Sequence, residues 1–132
     1  MKKKILIVMA NYYEEISDAL LNSAKEALQE PSDLISVPGV FEIPVTIAKN
    51  IKKYDGFIAL GCIIKGETPH FDFISKAAID GIMKLSIENK KPIANGIITC
   101  LNLKQALTRR KKGHEAAIAL SSVLDPVKTS AE

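Results

Sequence analysis

The sequence predicts an open α/β fold: a four-stranded parallel sheet covered by helices on both faces. Three observations carry that expectation. Apolar runs such as "ILIVM" and "GFIALGCII" are continuous rather than alternating, as in strands buried on both sides. Between the runs, apolar residues return every three or four positions, the spacing of an amphipathic helix. The two signals alternate along all 132 residues, and repeated βα units join into one parallel sheet by right-handed crossovers. No repeat, linker or low-complexity segment interrupts them. Residues 1–132 therefore read as a single domain, long enough to bury a core.

The first strand is Ile5 to Met9. A helix follows, with Ile16, Leu20, Ala24, Ala27 and Leu28 at helical spacing, and Pro31-Ser32 ends it. "DLISV" is a short second strand, closed by a turn at Pro38-Gly39. The next helix carries Ile43, Ile47 and Ile51 on one face, and Pro44 is tolerated because it falls in the first turn. "GFIALGCII" is the third strand. Thr68-Pro69 then reads as an N-cap followed by proline at the first helical position. The helix beyond carries Ile74, Ala77, Ala78, Ile82 and Leu85 on one face. After Pro92, "IANGIITCL" is the fourth strand. The rest is expected to be helical to about Asp125, with a kink near Gly113, before a frayed tail. Four such units suit a three-layer sandwich with the flavodoxin-like strand order 2-1-3-4.

Composition narrows the functional classes. The chain is 47% hydrophobic but only 5% aromatic, with no Trp, which suits an aliphatic core better than a stacking surface for nucleic acid. A formal charge of +3, with its basic residues in two short clusters (Lys2 to Lys4 and Arg109 to Lys112), gives no basic stripe. No apolar run approaches the ~18 residues of a membrane span. The basic start resembles a signal peptide, but its apolar stretch ends at Ala10, short of the ~7–15 residues of such a core. A cytoplasmic first strand is the expectation. Cys62 and Cys100 lie in apolar runs without a CxxC pattern and read as buried thiols in a reducing compartment.

In folds of this class, ligands sit beyond the carboxyl ends of the strands. Three unusual loops fall there: "ANYYEE", "VPGVFEIP" and "KGETPH". The last offers backbone N–H groups beside Gly66 at a helix start, an arrangement that binds anions, although an ordinary capped helix would look the same. His70 stands in the first helical turn, where an imidazole can move protons or simply face solvent. With His114 the only other histidine, and no ligand spacing between them, a metal role is not indicated. Tyr12 or Tyr13 could stack on a planar ring or form a half-buried loop. Glu42 could accept hydrogen bonds from ligand hydroxyls or only serve the helix dipole. The cluster Arg109-Arg110-Lys111-Lys112 is a solvated face or a phosphate clamp. There is no nucleotide-binding glycine motif.

Together, "SVPGVFEIP", "ALGCIIKGETPHFD" and "QALTRRKKGHEAA", in this order and spacing, resemble the lumazine synthase family over nearly the whole chain. The resemblance implies a flavodoxin-like fold, a pentameric ring sometimes built into a hollow shell, and no cofactor or metal. It implies condensation of 5-amino-6-ribitylaminouracil with 3,4-dihydroxy-2-butanone 4-phosphate to 6,7-dimethyl-8-ribityllumazine, phosphate and water. Matched by motif, Tyr12 would stack on the pyrimidine. Ser36, Val40 and Glu42 would hold the ribityl chain, and the backbone of Ile63 and Ile64 would read the pyrimidine edge. Gly66, Glu67 and Thr68 would meet the phosphate, His70 would transfer protons, and Arg109 and Lys112 would bind phosphate.

Three departures accompany the match. Tyr12 stands where relatives more often have Phe or Trp. Asn95 stands where many have Phe, which replaces stacking with polar contact. The link from Arg109 to Lys112-Gly113 is shorter than in many relatives. Asn95 and Arg109 are expected to lie away from the binding loops of their own chain and to serve a neighbour's site. With only Met1 and Lys2 to Lys4 before the first strand, a free pentamer is expected rather than a shell. The alternatives are an archaeal-type riboflavin synthase, or a non-catalytic lumazine- or flavin-binding or shell-forming relative.

Overall fold

A computed structural model describes residues 3–66 and 69–130. Four strands, β1 (Ile5–Ala10), β2 (Ser32–Val37), β3 (Gly56–Ile64) and β4 (Ile93–Cys100), form one parallel sheet in the order β2-β1-β3-β4. The helices are α1 (Glu14–Ala27), α2 (Ile43–Lys49), α3 (His70–Asn89), α4 (Leu103–Arg109) and α5 (Gly113–Leu124). A single 3-10 turn, Val40–Glu42, leads into α2. Sheet order, parallel pairing and helices on both faces agree with the expectation from sequence.

Each face of the sheet has its own core. On one side Ile5, Ile7, Met9, Ile58, Leu60 and Ile98 pack under α1, α4 and α5. On the other, Leu6, Val8, Phe57, Ala59 and Ile97 pack under α2 and α3. The central strands therefore need apolar residues at consecutive positions, which accounts for the unbroken runs in β1 and β3. The edge strand β2 is mostly exposed and is accordingly more polar.

Local boundaries differ from the sequence reading in three places. Pro69 is the N-cap of α3, and His70 is its first residue. Thr68, expected as the cap, lies outside the described residues. Helix α2 stops at Lys49, so Ile51 packs against the core from the following turn. The final helical stretch is two helices rather than one kinked helix. The Asn102 side chain accepts a hydrogen bond from Gln105 N (2.9 Å), and the Gln105 side chain accepts one from Leu101 N (2.8 Å), a reciprocal cap that starts α4. Helix α5 begins at Gly113 because a Cβ there would collide with the Leu20 carbonyl oxygen and lie 2.7 Å from Ser23 Oγ. Only glycine lets α5 cross α1 this closely.

Candidate active site at the carboxyl edge

The three loops singled out by sequence converge beyond the carboxyl ends of the strands. They enclose a cavity of about 640 Å³, within the range of small-molecule sites. Tyr12, Val40, Glu42, Ile63, Ile64 and His70 all line it, together with Tyr13, Gly39, Phe41, Cys62 and Ile74.

Each wall has a local cause. The first loop is pinned where Asn11 N donates to Val37 O (3.0 Å) and Ser17 Oγ donates to Ala10 O (2.6 Å). That leaves Tyr12 at the mouth, 75% exposed, against the half-buried Tyr13. The second loop docks because Gly61 has no side chain. A Cβ at Gly61 would lie 2.8 Å from Val40 Cγ2 and 3.2 Å from Ala10 Cβ, so glycine lets the buried Val40 seat directly on β3. Gly39 gives Glu42 similar room: a Cβ there would come within 3.1 Å of the carboxylate Oε1. The third loop leaves β3 after Lys65 N donates to Cys100 O (2.8 Å). A Cβ at Gly66 would meet nothing within 4 Å. His70 then stands at the N-terminal end of the 20-residue α3, with Ile74 one turn behind it.

Two groups that line the cavity, Cys62 and Tyr13, have raised pKa values. Burial, reinforced by the neighbouring Cys100, pushes the Cys62 thiol up to about 12. Burial and then Tyr12 raise the Tyr13 phenol above its ordinary value. Neither supplies a thiolate or phenolate nucleophile near neutral pH.

The remaining sequence candidates among the described residues lie off this cavity. Ser36 is exposed on the edge strand β2, opposite Met9. Gly66 lies just past the cavity rim, and Glu67 and Thr68 fall outside the described residues. Asn95 is opposite Ala59, four residues before Ile63, or about 13 Å down the sheet at ~3.3 Å per residue. Its Oδ1 accepts from Ile97 N (3.0 Å) on the outer edge strand. Lys112 is exposed at the start of α5, where Gly113 crosses the middle of α1. Arg109 corrects one expectation: within its own chain it does return to the carboxyl edge. Helix α4 is only two turns long, and Arg109 Nη1 donates to Thr99 O (3.3 Å), opposite Ile63. It does not line the cavity.

Sequence reasoning missed Phe41, Cys62 and Ile74 as lining residues. Phe41 and Cys62 stand beside chosen positions, and Ile74 follows His70 at the i+4 spacing that places both on one helix face. Among the described residues, no group of three His, Cys, Asp or Glu side chains is placed to hold a metal ion. No helix there is long and apolar enough to cross a membrane.

Fold and cavity together define a parallel α/β protein with a small-molecule site at the carboxyl edge of its sheet. The model of the 6,7-dimethyl-8-ribityllumazine synthase family matches residues 2–128. The chain is 46% identical over 120 residues to the 6,7-dimethyl-8-ribityllumazine synthase of Bartonella tribocorum, covering 85% of this chain and 80% of the relative. It is 41% identical over 139 residues to that of Agrobacterium fabrum, covering 94% of each. The chain belongs to the 6,7-dimethyl-8-ribityllumazine synthase family.

Proposed function

We propose that this protein condenses 5-amino-6-ribitylaminouracil with 3,4-dihydroxy-2-butanone 4-phosphate, giving 6,7-dimethyl-8-ribityllumazine, phosphate and water. One observation carries the reading: six residues assigned roles by motif, drawn from three separate loops, meet around one cavity. The membership of the chain in the family supports it.

In this reading Tyr12 covers one face of the pyrimidine, and the backbone at Ile63 and Ile64 reads its edge. Val40 and the Glu42 carboxylate hold the ribityl chain, with Ser36 toward its outer end. The phosphate meets the loop Gly66-Glu67-Thr68 at the start of α3, where helix amides and dipole favour an anion. The 5-amino group attacks the ketone, and water leaves to form an imine. Phosphate is then eliminated, the enol tautomerises, and the ribityl-bearing amine closes the ring with loss of a second water. His70 moves the protons. Holding two substrates in register contributes up to ~7–11 kcal/mol, and a positioned acid–base about 10²–10⁴-fold.

The functional unit in this reading is a cytoplasmic homopentamer of single-domain subunits. In this reading Asn95, far down the edge strand from its own cavity, contacts a neighbour's ligand, and Arg109 and Lys112 supply positive charge to the phosphate. Exposed apolar residues on α2 and α3 (Val45, Phe73, Met83 and Ile87) are consistent with burial between chains. The test is to mix purified protein with both substrates and follow lumazine fluorescence. Lumazine formation that needs both substrates and releases phosphate is expected. No product, or riboflavin formed from lumazine alone, would overturn the reading.

A further inference from the structure

We propose that Tyr13 is a positioning residue: its ring holds that of Tyr12 at the mouth of the cavity, so that the two tyrosines form one aromatic platform. This rests on reading the cavity as a site for a planar heterocycle.

Tyr12 cannot be oriented by the core, because three-quarters of it is exposed. Its ring contact is with Tyr13, at a centroid distance of 4.9 Å and an interplanar angle of 80°. That is the edge-to-face geometry in which the positive edge of one ring meets the negative face of the other. Tyr13 is the anchored member of the pair. It packs against the core beneath α1 and lines the cavity beside Cys62. Its carbonyl accepts from Ser17 N (2.9 Å), which fixes the backbone to the first turn of α1.

Tyr13 also stands at a helix boundary, where its backbone is fixed and its ring is free to serve the cavity. It is the N-cap of α1, with φ −108° and ψ 85°, and it makes no side-chain capping bond. Ser, Thr, Asp or Asn at that position would satisfy an amide of the first turn. The phenol, held protonated by burial, adds no charge beside a neutral heterocycle.

Binding of 6,7-dimethyl-8-ribityllumazine, followed by its own fluorescence, tests the inference in a double-substitution cycle. An edge-to-face contact of this kind is worth about two- to tenfold in affinity, so Tyr13→Leu is expected to weaken binding by that factor. Tyr13→Phe, which retains the ring, is expected to restore it. The KM for the butanone phosphate should move less than the KM for the pyrimidine. The deciding arm is Tyr12→Leu, against which a further Tyr13→Leu change should have little or no effect. If Tyr13→Leu weakens binding equally with and without Tyr12, Tyr13 acts alone and the inference fails. If Tyr13→Leu does not fold, Tyr13→Met, of similar volume but longer and more adaptable, carries the same expectation. Failure of the wild-type protein to bind the lumazine would count against the proposed function, separately from any effect of Tyr13.

Discussion

The amino edge of the sheet is closed by hydrogen bonds within the chain; the carboxyl edge has such bonds too, but opens into a cavity. The Lys4 amide donates to the Asp55 carboxylate (2.8 Å), and the Asp55 amide donates back to Lys4 O (2.8 Å). The Tyr54 hydroxyl donates to Asp33 Oδ2 (2.6 Å), and Phe57 N to Pro92 O (3.0 Å). The opposite edge leaves Tyr12 and Phe41 largely exposed on the cavity lining, and Gly66 facing open space. Both edges close the same four strands. The carboxyl edge is where ligands bind in sheets of this kind, so its residues are expected to answer to more than folding.

Substitutions should therefore divide by edge, and four measurements sharpen or break that division. The largest effect is expected at Arg109. Losing a charge-assisted bond of ~1.5–3 kcal/mol should raise the KM for the butanone phosphate about 10- to 100-fold, while the melting temperature holds. Arg110→Ala is the matched control, and equal effects of the two would remove Arg109 from the site.

Gly61→Ala comes next, because Gly61 serves both fold and cavity. The added methyl meets Val40 and Ala10, and overpacking of this kind costs about 1–3 kcal/mol. Urea unfolding should register that loss, and lumazine affinity should fall with it as the Val40–Glu42 turn is pushed outward. A change in stability alone would separate the loop from the site.

The Cys62 thiol gives a pH signature. It is raised from an ordinary value of 9.0 to about 12 by burial and by Cys100. Between those values the unfolded chain loses this proton while the folded chain keeps it. The native state then binds more protons, so stability falls as pH rises from about 9, by up to ~1.4 kcal/mol per unit for this group. Denaturant unfolding from pH 8 to pH 11 should show the decline, and Cys62→Val should flatten it.

The smallest effect belongs to the amino edge. Tyr54→Phe removes an exposed hydrogen bond and should cost about 0.5–1.5 kcal/mol without changing lumazine formation. Loss of activity there would break the contrast between the two edges.

Much of this was legible in the sequence because the responsible physics is local. Strands buried on two faces need unbroken apolar runs, so "ILIVM" and "GFIALGCII" announced β1 and β3 and the sheet they centre. Three odd loops at successive strand ends located the cavity before any coordinates. What stayed hidden depends on contacts distant in sequence. Gly113 looked like a possible kink, and only the crossing of α5 over α1 explains the break before it. The return of Arg109 to the Thr99 carbonyl follows from the two-turn length of α4, which no periodicity signal marks. Ile74 and Cys62 read as core residues because one side chain can pack on a core and line a cavity at once.

In the proposed function a second chain completes the carboxyl-edge cavity. The most direct test mixes His70→Ala and Arg109→Ala subunits after dissociation and reassembly. If each site takes His70 from one chain and Arg109 from its neighbour, random mixing should leave about a quarter of the sites with both groups. Lumazine formation should then rise well above that of either parent. Activity no higher than the average of the parents, with subunit exchange demonstrated by mass, would mean that each chain carries a complete site of its own.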